Sequence, residues 1–231
     1  MRRRALAPPD RHVARCGGGV GEGFYPDVAT NYRPIKKIAI AGHSYVSRLH
    51  ITEPIYQPWF TVRKFAAPGA TVSSFPTSRA WVDLGRYRPD FTYLILGGND
   101  IHRNTNVRQL VTELADLTLK VEDHTGGRCH IVGIEARSAP RDISPDRYRR
   151  IKNAVNRDLK RVPHILPRYC NMNMDPAHSW DGVHLDRHGS QLLTDHLLTR
   201  VREYLTSVDE QEGVEASPAS TLNLFFSEGN K

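Results

Sequence analysis

Cysteine is scarce in this chain of 231 residues: Cys16, Cys129 and Cys170 are all it has, and they stand far apart. Three scattered thiols cannot build a disulfide framework, which points to a reducing compartment. Long apolar runs are also missing, so no segment is long enough to span a bilayer. The opening MRRRALAPPD has a basic start with no apolar stretch behind it, a poor secretion signal. These absences together lead to the expectation of an intracellular, cytoplasmic protein. What is present suits one domain of moderate size, since 39% of the residues are hydrophobic and can form a real core. The formal net charge of +7 favours anionic contacts but says nothing about fold.

Both ends of the chain are poor in core material. Residues 1–34 read as a flexible basic arm, with Arg2, Arg3 and Arg4 leading into Pro8-Pro9 and then Gly17-Gly18-Gly19. An unstructured solubilising tail is the plain reading of that arm; contact with nucleic acid or an acidic membrane is the functional one. Residues 207–231 read as an acidic, disordered tail with Asp209, Glu210, Glu212 and Glu215, ending near the apolar Leu222-Asn223-Leu224-Phe225-Phe226. The folded portion is therefore expected over residues 35–206.

Lys36 to Leu49 organises that portion. Ile38 to Ala41 is an unbroken apolar run, as expected of a strand covered on both faces. Gly42 allows a tight turn where the run stops. Ser44 then stands at a strand's carboxyl end and at a helix N-terminus, where unpaired backbone N–H groups can face an oxyanion. From this stretch alone Ser44 is either a helix cap or a nucleophile. The first helix should reach Ile51 and be stopped by Pro54.

The same grammar repeats downstream. Phe60 to Phe65 alternates as a half-buried strand near an edge and leads into Ala66-Ala67-Pro68-Gly69-Ala70, where Gly69 can bring a backbone N–H close to a ligand. Thr71 to Leu84 reads as a helix with Val72, Phe75, Ala80 and Leu84 inward. Phe91 to Leu96 is the clearest strand, followed by the polar Gly97-Gly98-Asn99-Asp100. Leu110, Leu114, Leu117 and Val121 have helical spacing, and Gly126-Gly127 ends that helix. His130 to Ile134 is a strand ending in Glu135, and Ser144-Pro145 opens a helix reaching about Val162 with Tyr148, Ile151, Val155 and Leu159 inward. His164 to Pro167 is expected as an edge strand. Asp186 to Leu205 closes the domain as a helix with Leu192, Leu193, Leu197, Val201 and Leu205 as its stripe. Strands alternating with helices define an α/β class: a three-layer α/β/α sandwich around an open, about five-stranded parallel sheet. Ligands of such sheets bind outside the carboxyl ends of the strands, where the Ser44, Gly69 and Asn99 segments converge.

Acyl transfer needs a hydroxyl, an imidazole to take its proton, a group to hold that imidazole, and donors for the oxyanion. Ser44 can supply the hydroxyl and His184 the imidazole. Asp181, one turn before His184, can accept from Nδ1–H and leave Nε2 facing Ser44. The backbone N–H groups of Ser44 and Gly69, with the Asn99 side-chain amide, can surround the negative oxygen. Each residue also has a plain reading: a capping serine, a capping or surface histidine, a turn-forming aspartate, an Asx-turn asparagine and a loop glycine.

With these residues assembled, the chain resembles the SGNH (GDSL-like) hydrolase superfamily of α/β esterases, lipases and deacetylases. Its first block, usually G-D-S, corresponds to Gly42-His43-Ser44. Its second-block glycine corresponds to Gly69, its G-x-N-D to Gly97-Gly98-Asn99-Asp100, and its D-x-x-H to Asp181-Gly182-Val183-His184. The resemblance covers residues 36–205 and implies an SGNH hydrolase-like fold. It also implies Ser44, Asp181 and His184 as a catalytic triad and Ser44, Gly69 and Asn99 as the oxyanion hole. It calls for no cofactor and no metal. The departure is His43, where the family commonly has an aspartate that holds the nucleophile loop. Asp100 fits a loop anchor better than a chemical role.

The implied activity is a serine esterase acting on a small carboxylic ester, acetyl esters included, of a small-molecule or carbohydrate-linked alcohol. The competing reading is a catalytically silent module of the same fold that binds nucleic acid or a protein. Its motivation is His43, the basic arm, and the helix face carrying Arg147, Arg149, Arg150, Lys152, Arg157, Lys160 and Arg161. A charged outer face is usually solvated, and no aromatic stacking platform accompanies this one, so nucleic acid is weakly supported as a partner. A zinc site from His178, Asp181, His184 and His188 is a further alternative, but it leaves Ser44, Gly69 and Asn99 without a shared purpose.

Overall fold

The computed structural model describes residues 36–49, 55–57, 60–171 and 175–215. The basic arm, the Pro54 helix stop and residues 216–231 lie outside the described residues. Six strands form one sheet: β1 (Lys36–Gly42), β2 (Ile55–Gln57), β3 (Phe60–Ala66), β4 (Phe91–Ile95), β5 (Arg128–Val132) and β6 (Tyr169–Cys170). Their order is β2-β3-β1-β4-β5-β6. Five run parallel; β2 alone pairs antiparallel, against β3 at the edge. The helices are α1 (Ser44–Arg48), α2 (Arg79–Tyr87), α3 (Val107–Thr125), α4 (Pro145–Leu159) and α5 (Arg187–Glu215).

Strand β1 divides the core. Ala39 and Ala41 face one apolar cluster, with Leu84 of α2, Leu114 and Leu117 of α3, and Val155 and Leu159 of α4. Ile38 and Ile40 face the other, with Val46 of α1 and Leu193, Leu197 and Val201 of α5. The period-two alternation of a strand thus puts α2, α3 and α4 on one side and α1 and α5 on the other. This is the three-layer α/β/α sandwich, with five parallel strands in its sheet.

Caps set the helix limits. Ser78 accepts the Trp81 N–H at 3.2 Å and Asn106 the Gln109 N–H at 3.2 Å, each satisfying an orphan donor in a first turn. Ser144 stands before Pro145, as the sequence suggested.

Several boundaries differ from expectation. Helix α1 stops at Arg48, because Leu49 turns to an extended conformation. Thr71 to Leu84 is not one helix: a 3-10 turn over Phe75–Thr77 precedes α2, and extended Ser78 begins the new helix. Its four inward residues are nonetheless buried. His164 to Pro167 is no strand; Ile165 is buried within a turn, Leu166–Arg168 is a 3-10 turn, and the parallel edge strand comes next at Tyr169–Cys170. Helix α5 continues to Glu215, past the expected end at Leu205 and into the stretch read as tail. Its stripe runs through Leu193, Leu197 and Val201, leaving Leu192 39% exposed. Among the described residues no helix is long and apolar enough to cross a membrane.

Candidate active site

Ser44 owes its place to Gly42. That glycine sits at φ +150, between Ala66 of β3 and Ile95 of β4, and a Cβ on it would lie 2.0 Å from the Ile95 carbonyl oxygen. Only hydrogen fits there. The chain then turns: His43 N–H donates to the Ile95 carbonyl at 3.2 Å, and Ser44 is the first residue of α1. Ser44 does not cap the helix; His43 does, its Nδ1 accepting the Tyr45 N–H at 3.3 Å.

His43 is 3% exposed. Burial, the Arg137 guanidinium and His184 hold its pKa down to about 3, so the ring is neutral and a good acceptor for the cap. With Nδ1 accepting, the ring proton belongs on Nε2. A neutral imidazole thus supplies the hydrogen bond at the turn where an aspartate was expected from the resemblance.

The Ser44 hydroxyl meets His184 Nε2 at 3.1 Å, and His184 Nδ1 meets Asp181 Oδ2 at 2.6 Å. The other Asp181 oxygen accepts the backbone N–H groups of Val183 at 2.9 Å and His184 at 2.6 Å. Burial pushes the Asp181 carboxyl upward, but the imidazole and these two N–H groups outweigh it and hold the pKa at about 2. An ionised Asp181 requires Nδ1 to carry the proton, which turns the Nε2 lone pair toward Ser44. The Tyr45 hydroxyl donates to the Val183 carbonyl, and the Ser179 hydroxyl donates to the His184 carbonyl at 2.9 Å. The imidazole is therefore pinned to α1 as well as to its own loop.

The second side of the site comes from β3 and β4. Ala67 N–H donates to the Gly42 carbonyl at 2.8 Å, bringing the Gly69 turn beside the end of β1. Gly69 has φ +79. Asn99 Nδ2 donates to the Ala70 carbonyl at 2.9 Å, using one of its two hydrogens. Asp100 is the expected anchor: its Oδ1 accepts the Val72 N–H at 3.0 Å, joining the two loops. Burial pushes its carboxyl up to about 6 against the opposing effect of that N–H. Ser44, Asp181 and His184 are thus joined directly, and Asn99 is joined to the Gly69 loop through Ala70.

The sequence reading passed over Arg137, whose Nη2 donates to Asn99 Oδ1 at 3.0 Å. Its guanidinium lies 5.9 Å from the Tyr45 ring centre and 5.6 Å from that of Tyr148, a pair of cation–π contacts. A fixed positive charge therefore backs the Asn99 amide and polarises its N–H groups. Glu135-Ala136-Arg137 follows the end of β5, a position next to the ligand crevice, which was the available signal.

The contacts of the four residues weighed for zinc serve other pairings. Asp181 is spent on His184, the His178 ring meets His188 edge to face at 4.8 Å, and no group of three His, Cys, Asp or Glu side chains suited to a metal occurs among the described residues.

Comparison with protein-family models and with curated protein sequences finds no match. Comparison with solved structures does. An esterase from Pseudoalteromonas, solved with monoethylphosphonate as inhibitor, is 16% identical with a TM-score of 0.54, over 74% of this chain and 99% of that one. A catalytic mutant of an acetylxylan esterase from Geobacillus stearothermophilus is 16% identical with a TM-score of 0.53, over 72% of this chain and 95% of that one. A GDSL-like lipase from Bacteroides thetaiotaomicron is 16% identical with a TM-score of 0.54, over 76% and 94%. The fold is that of the SGNH/GDSL-like esterases and lipases.

Proposed function

We propose that this protein is a serine ester hydrolase acting on small carboxylic esters, acetyl esters among them, through an acyl-enzyme. The observation that carries this reading is the unbroken path Ser44–His184–Asp181, with contacts of 3.1 and 2.6 Å, at the carboxyl end of the central strand. His184 takes the Ser44 proton as the hydroxyl oxygen attacks the ester carbonyl. Asp181 stabilises the imidazolium that results. The oxyanion is received by the N–H groups of Ser44 and Gly69 and the remaining Asn99 hydrogen; one such donor is worth about 3 kcal/mol in the transition state. The tetrahedral intermediate collapses as His184 passes the proton to the leaving alcohol. Water, deprotonated by the same imidazole, then releases the acid and restores the serine.

The test uses an alkyl phosphonate reactive toward activated serines. Intact mass and peptide mapping should find one adduct, on Ser44, that is lost in Ser44→Ala. Hydrolysis of an activated acetate should fall by at least roughly 10⁴-fold in Ser44→Ala and His184→Ala. No adduct on folded protein, or an adduct at another residue, overturns the mechanism and leaves the binding-module reading in its place.

A further inference from the structure

Resting on that reading, the two elements that bring Ser44 and His184 together also present a second pair of side chains. Arg48 follows Ser44 by four residues on α1, and so lies on the same helix face. Trp180 precedes His184 by four residues, and its N–H donates to the His184 carbonyl at 3.3 Å. The two side chains meet: the Arg48 guanidinium lies over the Trp180 indole, 5.3 Å from the ring centre. The indole in turn lies nearly parallel to the His184 imidazole, at 21° and 6.3 Å between ring centres.

Among the described residues Trp180 is the most exposed of the large hydrophobic side chains, at 65%. Burying an indole is strongly favourable, so leaving one in water beside a reactive imidazole forgoes considerable stabilisation. The cleft next to it has a volume of about 350 Å³ and is lined by Ser47, Arg48, Leu49, Trp180, Asp186 and Arg187, together with Leu185. That is room for one ring of a ligand. Two walls of the cleft are cationic. Among the described residues its one carboxylate, Asp186, is engaged in capping α5 through the Gly189 N–H at 2.6 Å.

The direction of the chemistry decides what occupies this cleft. With the oxyanion held as proposed, the carbonyl oxygen of the ester faces the Gly69 and Asn99 loops. The leaving oxygen must receive its proton from His184, and Trp180 and Arg48 stand on that side. We infer that the Trp180–Arg48 pair, with Arg187, forms a leaving-group subsite for esters whose alcohol carries both a flat apolar face and an anionic group. The flat face stacks on the indole, and the carboxylate or phosphate takes the guanidinium hydrogen bonds.

The experiment compares kcat/KM for phenyl acetate and its para-carboxylate, para-phosphate and para-trimethylammonium analogues. Each rate is divided by its hydroxide-catalysed rate to remove differences in intrinsic reactivity. The anionic esters should be favoured over the neutral one by about fivefold and the cationic ester disfavoured. The preference should shrink as salt rises from roughly 0.05 to 0.5 M, as expected of a partly exposed charge. Arg48→Gln should remove most of the charge preference, and Trp180→Ala should raise KM for all the aromatic esters. The para-carboxylate and para-phosphate arms show which anion fits better. Equal normalised rates for all four esters, or a preference unmoved in Arg48→Gln, overturns the subsite while hydrolysis itself persists. Absence of hydrolysis of every ester, with no phosphonate adduct on Ser44, overturns the esterase reading instead.

Discussion

Replacing His43 by asparagine isolates the consequence of capping a helix with a buried imidazole. The Asn side-chain oxygen can accept the Tyr45 N–H as Nδ1 does, so the cap survives while the titratable group is lost. Above pH 6.5 the imidazole is neutral whether the chain is folded or unfolded, and it contributes no pH dependence. Between 6.5 and about 3 the unfolded chain takes up a proton that the folded chain refuses, so stability falls with pH. The slope is about 1.4 kcal/mol per pH unit, or about 3 kcal/mol lost on going from 6.5 to pH 4.5. Burial and the neighbouring Arg137 charge are what make this large. Urea unfolding of both proteins at half-unit intervals of pH measures it. His43→Asn should be less stable at neutral pH, because the smaller side chain leaves a void. Its stability should nevertheless decline less steeply, closing the gap by about 3 kcal/mol at pH 4.5. Asp100 and His130 also titrate in this range, one pushed up to about 6 and the other down to about 4, but both are present in each protein and cancel in the difference. Parallel stability curves would refute the idea that His43 stays neutral in the fold.

If Asn99 serves the oxyanion as proposed, Asn99→Ala should lower kcat by roughly a hundredfold or more with little change in KM, since its second amide hydrogen would act only in the transition state; steady-state kinetics reads this directly. Arg137→Met keeps an apolar stem near Tyr45 and Tyr148 but removes the charged donor to Asn99, so phosphonate labelling of Ser44 should slow by about tenfold. Unchanged labelling would make the guanidinium irrelevant to the donor. Gly42→Ala places a methyl group 2.0 Å from the Ile95 carbonyl oxygen and should cost more than about 3 kcal/mol, seen as a depressed Tm or loss of folded protein by circular dichroism.

The layers of the fold were legible wherever burial follows a local period. Leu110, Leu114, Leu117 and Val121 keep helical spacing and are all buried, and the apolar run of β4 has no exposed residue. Spacing failed where the partners are distant. His164 to Pro167 has the composition of a short strand, but Ile165 is drawn into the cluster under α3 and α4, and pairing with β5 begins only at Tyr169. Leu192 fits the stripe of α5 by count yet falls at its margin, because the buried line passes through Leu193, Leu197 and Val201. At the candidate site, D-x-x-H spacing anticipated the Asp181–His184 contact because both residues lie on one turn. Arg137 carried only a positional signal, its place just beyond β5, since an arginine with tertiary partners from the loop after β4, from α1 and from α4 follows no local period.

Asp181 and His184 share one turn and are bound to each other through both side chain and backbone. Any displacement of that segment therefore carries the dyad as a single cassette. Its internal proton path stays intact, and only the gap to the hydroxyl opens. On the proposed reading, a change that loosens the Tyr45 tether to Val183 should consequently slow ester hydrolysis without altering how the imidazole is polarised, a detuning by distance alone.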